Sequence, residues 1–176
     1  MNLIKFWQAL LDADLRWTRR LSVAERPGLL RTIAAALAHS GDSWFWGVAF
    51  LLLVLLGDQA QRTWALAMLA AVFITALIVL SMKFAIRRRR PQGEWGAIYR
   101  RTDPHSFPSG HAARGALLAA LGLLWGPQVF GIAAALWAPW VILARVAMGV
   151  HYLSDVVAGA LLGLIAALIL GNLISF

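Results

Sequence analysis

Four stretches of this chain carry no charged residue, 43–57, 63–82, 115–144 and 156–176, and they restrict its fold more than any other feature. About 20 predominantly apolar residues carry an α-helix across the roughly 30 Å hydrocarbon layer of a bilayer. The third stretch is too long for one crossing and is interrupted at Gly126-Pro127-Gln128, a pairing that ends one helix and starts another. Five spans follow, near 43–57, 63–82, 109–126, 129–147 and 155–175, the first short enough to borrow from its flanks. With 61% hydrophobic residues, against about 45–50% in soluble domains, the chain reads as an all-α, polytopic membrane helix bundle. Residues 1–176 form one domain with no linker and no convincing repeat. Gly159 and Gly163, four residues apart in the last stretch, predict close helix packing.

Residues 1–42 differ from the rest. Lys5, Arg16, Arg19, Arg20, Arg26 and Arg31 are interleaved with Phe6, Trp7, Leu10, Leu11, Leu15, Trp17, Leu21, Leu29, Leu30 and Ile33, a pattern expected of amphipathic helices lying in the membrane interface. A cleaved signal peptide is not expected, because no long uncharged run precedes a cleavage-like site. The absence of cysteine excludes disulfides, thiolate catalysis and thiolate metal sites.

With five spans, fifteen of the sixteen Lys and Arg residues fall on one side of the membrane and only Arg62 opposite. The positive-inside rule makes that side cytoplasmic, although a site that holds an anion also gathers cations. Setting aside Lys83, Arg90, Arg114 and Arg145 leaves eleven against one, six of the eleven in the amino-terminal segment. The net charge of +8 does not imply nucleic acid, because the basic residues flank spans and suit anionic lipid.

Three clusters on that side carry chemistry. In "KFAIRRRRP", 83–91, Lys83 and Arg90 are two helical turns apart, with Arg87 between them on one face if the helix continues that far; Arg88 and Arg89 read as an ordinary juxtamembrane basic stop. In "PSGH", 108–111, a turn opens a helix whose free N–H groups and positive dipole end attract an anion; Ser109 can cap or donate, Gly110 lets the anion approach, and His111 stands in the first turn. In "ARVAMGVHYLSD", 144–155, Arg145 is too costly to face lipid. His151 and Asp155 are one turn apart, which lets the carboxylate accept from one imidazole nitrogen and leaves the other with a lone pair. Together these groups suit a phosphate: cations and amides neutralise its oxygens, one histidine attacks phosphorus and the other protonates the leaving oxygen.

The three clusters, read as K83-x6-R90-P91, P108-S109-G110-H111 and A144-R145-x5-H151-x3-D155, resemble the signature of the type 2 phosphatidic acid phosphatase superfamily, the lipid phosphate phosphatases that share a fold with glucose-6-phosphatase and the vanadium haloperoxidases. The resemblance implies a phosphohistidine mechanism. His151 would be the nucleophile, Asp155 its orienting carboxylate and His111 the general acid, while Lys83, Arg90, Ser109, Gly110 and Arg145 would bind the phosphoryl oxygens. It implies no metal and no cofactor, and Asp12, Asp14, Asp42, Asp58, Glu94 and Asp103 are scattered. It also implies a periplasmic site, against the charge count. Two positions depart from the pattern: Ala144 stands where serine is usual, removing a hydroxyl, and Leu153 replaces a common proline, which bears on how the last span begins.

The function expected is hydrolysis of a membrane lipid phosphate monoester or lipid pyrophosphate; the alternatives are a vanadate-dependent peroxidase-like enzyme and a silent lipid-binding or scaffold protein. Arg87, His105 and Arg114 are possible headgroup contacts. Asp42 or Ser43 is expected simply to cap the first span, and Trp44, Trp46, Trp64 and Trp125, near span ends, to form an aromatic belt.

Overall fold

The computed structural model describes residues 2–93 and 95–173. Among them are eight helices: α1 Leu3–Leu21, α2 Leu29–Ser40, α3 Ser43–Leu56, α4 Gln59–Ile86, α5 Ala97–Thr102, α6 Gly110–Trp125, α7 Gln128–Ala147 and α8 Leu153–Leu173. The five expected spans correspond to α3, α4, α6, α7 and α8. By length and composition α4, α7 and α8 can each cross a membrane alone, and α2 with α3 can form a fourth crossing bent by 48° at the Gly41-Asp42 break. Helix α6, at 16 residues or about 24 Å, packs against α4, α7 and α8.

Local chemistry sets the ends. Asp58 and Gln61 form a reciprocal capping box that starts α4, one turn before the expected boundary. Gly126 ends α6 and Pro127 precedes α7, as the Gly-Pro break predicts. In lipid the hydrophobic effect does not drive helices together, so backbones must approach closely. Gly159 and Gly163 do this: a Cβ on either would run into the backbone oxygens of Ser109 and Ala113 on α6. A core of Phe50, Trp64, Met68, Leu117, Leu118 and Leu121 fills the end of the bundle away from the charged residues. The aromatic belt is only partly realised. Trp44 is exposed, but Trp64 is buried against Phe50 and Phe130, because α3 folds back on α4 and covers it.

Helix α1 shows an exposed apolar surface that includes Leu3, Trp7, Leu10, Leu11 and Trp17. It is fastened to the bundle by two polar residues one turn apart. Thr18 Oγ1 accepts from the N–H of Leu153 at 3.0 Å, and Asp14 Oδ1 accepts from the N–H of Ser154 at 2.9 Å. These are orphan donors at the start of α8, so α1 caps α8 from outside. The Leu153 substitution is thereby explained: proline has no N–H to give to Thr18.

Candidate active site

The carboxyl ends of α4 and α7, the amino ends of α6 and α8, and the α2–α3 break meet at one end of the bundle around a cavity of about 210 Å³. Lys83, Arg90, His111, Arg114, Arg145 and His151 supply its polar wall, and Val72, Thr75, Ala76, Val79 and Leu80 of α4 the apolar one.

Lys83 and Arg90 converge, but not by helical register. The helix stops at Ile86, and Arg87 turns into the left-handed region at φ 54°. The chain then runs extended, with Arg88 accepting from the Ser106 N–H and Arg89 bridged to His105. Arg87 is exposed, its Nε donating to the Phe84 carbonyl at 2.9 Å, and it does not line the cavity. His105 packs on Phe84 outside the cavity.

Lys83, Arg90 and Arg145 are almost wholly buried. Asp103, missed as a site residue, bonds Lys83 Nζ and accepts from Arg90 Nη2 at 2.8 Å. Burial alone would raise its carboxyl, but Lys83 and then Arg90 hold it below the ordinary carboxylate range. Arg145 lies 4.9 Å from the Tyr99 ring. Its Nε and Nη1 have no hydrogen-bond partner among the described residues, and buried unpaired guanidinium donors on a cavity wall are what an anion satisfies. Ser109 caps α6, its Oγ accepting from the Ala112 N–H at 3.4 Å. Gly110 lines the cavity beside it. Ala144 packs with Ala34, Ala38 and Met148, away from the cavity lining, so the missing hydroxyl does not open a gap in the anion's wall.

His151 sits in the loop between α7 and α8. Its Nε2 lies 3.1 Å from Arg90 Nη1. A guanidinium only donates, so Nε2 accepts and a neutral ring carries its proton on Nδ1. Burial first, then Arg90, Arg145 and Lys83, lowers the imidazole pKa well below the ordinary 6.5, keeping the ring neutral at neutral pH. The expected His151–Asp155 hydrogen bond is not formed: Nδ1 stands 3.6 Å from Oδ2, because the carboxylate has other partners. Its Oδ2 accepts from the Tyr152 N–H at 2.8 Å and its Oδ1 from Arg88 Nη1 at 2.7 Å. Arg88 is therefore not a simple basic stop. It also bonds Asp14 and Ser154 and lies 4.0 Å from the Tyr152 ring.

His111, in the first turn of α6, meets another unforeseen residue. Its Nε2 is 2.8 Å from Asp42 Oδ1. Asp42 precedes α3 but its side chain makes no capping bond; its second oxygen faces His39 Nδ1 at 3.1 Å. Glu94 lies outside the described residues.

The model of the PAP2 superfamily matches residues 64–175. This chain belongs to the PAP2 superfamily. It is 35% identical over 147 residues to a decaprenylphosphoryl-5-phosphoribose phosphatase of Mycobacterium tuberculosis, covering 81% of this chain and 78% of that one. It is 31% identical to a lipid A 1-phosphatase of Rhizobium etli, covering 93% and 77%. Its fold matches the crystal structure of a transmembrane PAP2-type phosphatidylglycerolphosphate phosphatase from Bacillus subtilis at TM-score 0.70 and 24% identity, over 94% of this chain and 86% of that one. It also matches LpxE of Aquifex aeolicus at TM-score 0.71 and 23% identity, over 90% and 94%. The protein is thus an integral membrane PAP2 enzyme with the helical bundle of that family.

Proposed function

We propose that this chain is a membrane lipid phosphatase that hydrolyses a lipid phosphate monoester or lipid pyrophosphate through a phosphohistidine on His151. The observation that carries the lipid part is the apolar face of α4. Val72, Thr75, Ala76, Val79 and Leu80 rise at helical spacing to Lys83, so an apolar track about 16 Å long ends at the cationic pocket. A tail along that track places its phosphate among Lys83, Arg90, Arg145 and the Gly110 backbone. Relatives named for lipid-linked phosphates support the same class.

In the first step Arg90 turns its Nη1 from His151 Nε2 to a phosphate oxygen, and the Nε2 lone pair so released attacks phosphorus. The P–O bond to the lipid breaks, and His111 gives its proton to the departing oxygen. The cations hold the oxygens on which charge concentrates, and phosphate displaces Asp103 from Lys83 and Arg90. In the second step water attacks the phosphohistidine and passes a proton to His111, and the P–N bond breaks to release phosphate. Among the described residues no three His, Asp or Glu side chains are grouped to hold a metal ion. Phosphate release from a panel of phosphatidate, phosphatidylglycerol phosphate and polyprenyl pyrophosphate, with and without EDTA, tests the reading. No release from any substrate refutes the phosphatase, loss with EDTA refutes the metal-free route, and halide oxidation by vanadate-loaded protein would favour a peroxidase. Helix α8 starts beside His151 and runs away from the site, so a reporter fused to the carboxyl terminus reads the membrane face opposite the site.

A further inference from the structure

We propose that Asp42 is a positioning residue that sets His111 as the proton donor, and that Arg114 shapes the α2–α3 break to hold it there. The proposal rests on the phosphatase reading above.

The geometry comes from two sides. Arg114, three residues after His111 on α6, donates from Nε and Nη2 to the Gly41 carbonyl at 3.0 and 2.5 Å and from Nη1 to Ser43 Oγ at 2.7 Å. The residues on either side of Asp42 are therefore clamped by the helix that carries His111. Gly41 allows the approach, since a Cβ there would lie 2.7 Å from Val141 Cγ1 and 3.1 Å from His111 Cδ2. Arg114 is buried, and each of its three nitrogens donates in this clamp, which assigns it a part in the break as well as a place on the cavity wall.

The chemistry follows from donor and acceptor rules. An ionised carboxylate only accepts, so His111 Nε2 donates to Asp42 and Nδ1 is left to exchange a proton with substrate. A neutral ring in that tautomer has a lone pair on Nδ1 and can only take a proton. To give one, His111 must be imidazolium, which burial and the fixed charges of Arg145 and Arg114 oppose and the Asp42 carboxylate favours. When the P–O bond breaks, the Nδ1 proton goes to the leaving oxygen. The neutral ring that remains keeps Nε2–H on Asp42 and accepts the proton of the water that attacks the phosphohistidine. One hydrogen bond thus serves both half-reactions.

The readout is dependence on the leaving group. With phosphatidate, or phosphatidylglycerol phosphate if that is hydrolysed faster, the departing alkoxide needs a proton; with p-nitrophenyl phosphate it does not. Asp42→Asn should lower kcat about 100-fold on the alkyl phosphate and less than about 5-fold on the aryl phosphate, and Asp42→Glu should restore part of the difference. Equal loss on both substrates, or no loss, overturns the proposal. His111→Ala is the control: if it shows the split and Asp42→Asn does not, the proposal fails alone; if wild-type protein cleaves neither substrate, the phosphatase reading fails with it. Should Asp42→Asn not fold, the downfield Nε2 proton of His111 in 15N-histidine-labelled wild type, assigned by its loss in His111→Asn, supports the pairing, and its absence overturns it.

Discussion

The two histidines of the site are held in opposite ways. His151 lies in a loop among residues of its own neighbourhood and of the cationic pocket: Arg90 sets its tautomer at 3.1 Å, and Asp155 stands four residues on. His111 is on a helix, and its carboxylate comes from Asp42, 69 residues earlier, across a break between two other helices. In the proposed reaction one arrangement presents a lone pair and the other holds a proton. The difference teaches that this site is two half-sites with separate supports, so damage to one should leave a distinguishable remnant of the other.

The strongest test of that separation is the phosphohistidine itself. His151→Ala should abolish turnover of every substrate, by at least about 10⁴-fold as for other nucleophiles, with no acid-labile phosphoenzyme trapped after a quench. His111→Ala should still form the phosphoenzyme from p-nitrophenyl phosphate, and trapping none from that substrate would merge the two half-sites into one. A smaller effect is expected behind His151. Arg88→Met leaves Asp155, wholly buried, and Asp14 without their shared cation; breaking such a pair costs about 3 kcal/mol. Thermal unfolding in detergent should fall by several degrees and kcat by about 10-fold, equally for alkyl and aryl phosphates, in contrast to Asp42→Asn. A leaving-group split in Arg88→Met would place it on the His111 side.

The same contrast explains what was legible in the sequence. The bundle was, because uncharged stretches and the Gly126-Pro127 break are local signals. The residues that converge on the cavity were, because the spacings 83–90, 108–111 and 145–155 are short. Lys83 and Arg90 share the cavity, but not by the helical register expected: the chain leaves the helix at Arg87 and brings Arg90 back through an extended segment. Arg88, Asp14, Asp42 and Asp103 were not legible as partners. Asp14, Asp42 and Asp103 lie outside the signature spacings and Arg88 at an unspecified position within one, and each finds its charge across the fold, where no period of 3.6 or fixed offset points. Asp42 looked like an N-cap because aspartate before an apolar helix usually is one.

A finer test concerns the charge that keeps His151 neutral. Burial comes first among the causes of its lowered pKa, followed by Arg90, Arg145 and Lys83. A nucleophile works as the free base, so activity is present above its pKa and lost as pH falls through it. With that pKa well below 6.5, the acid limb of kcat/KM from His151 lies below pH 6.5 in wild type. Lys83→Met removes a positive neighbour, makes protonation easier and should move the limb upward, beside a general loss of phosphate affinity. The substrate's own titration is common to both proteins and drops out of the difference. A limb that stays in place, or moves to lower pH, would mean that Lys83 touches only the phosphate and that the neutrality of His151 is the work of burial and the two arginines.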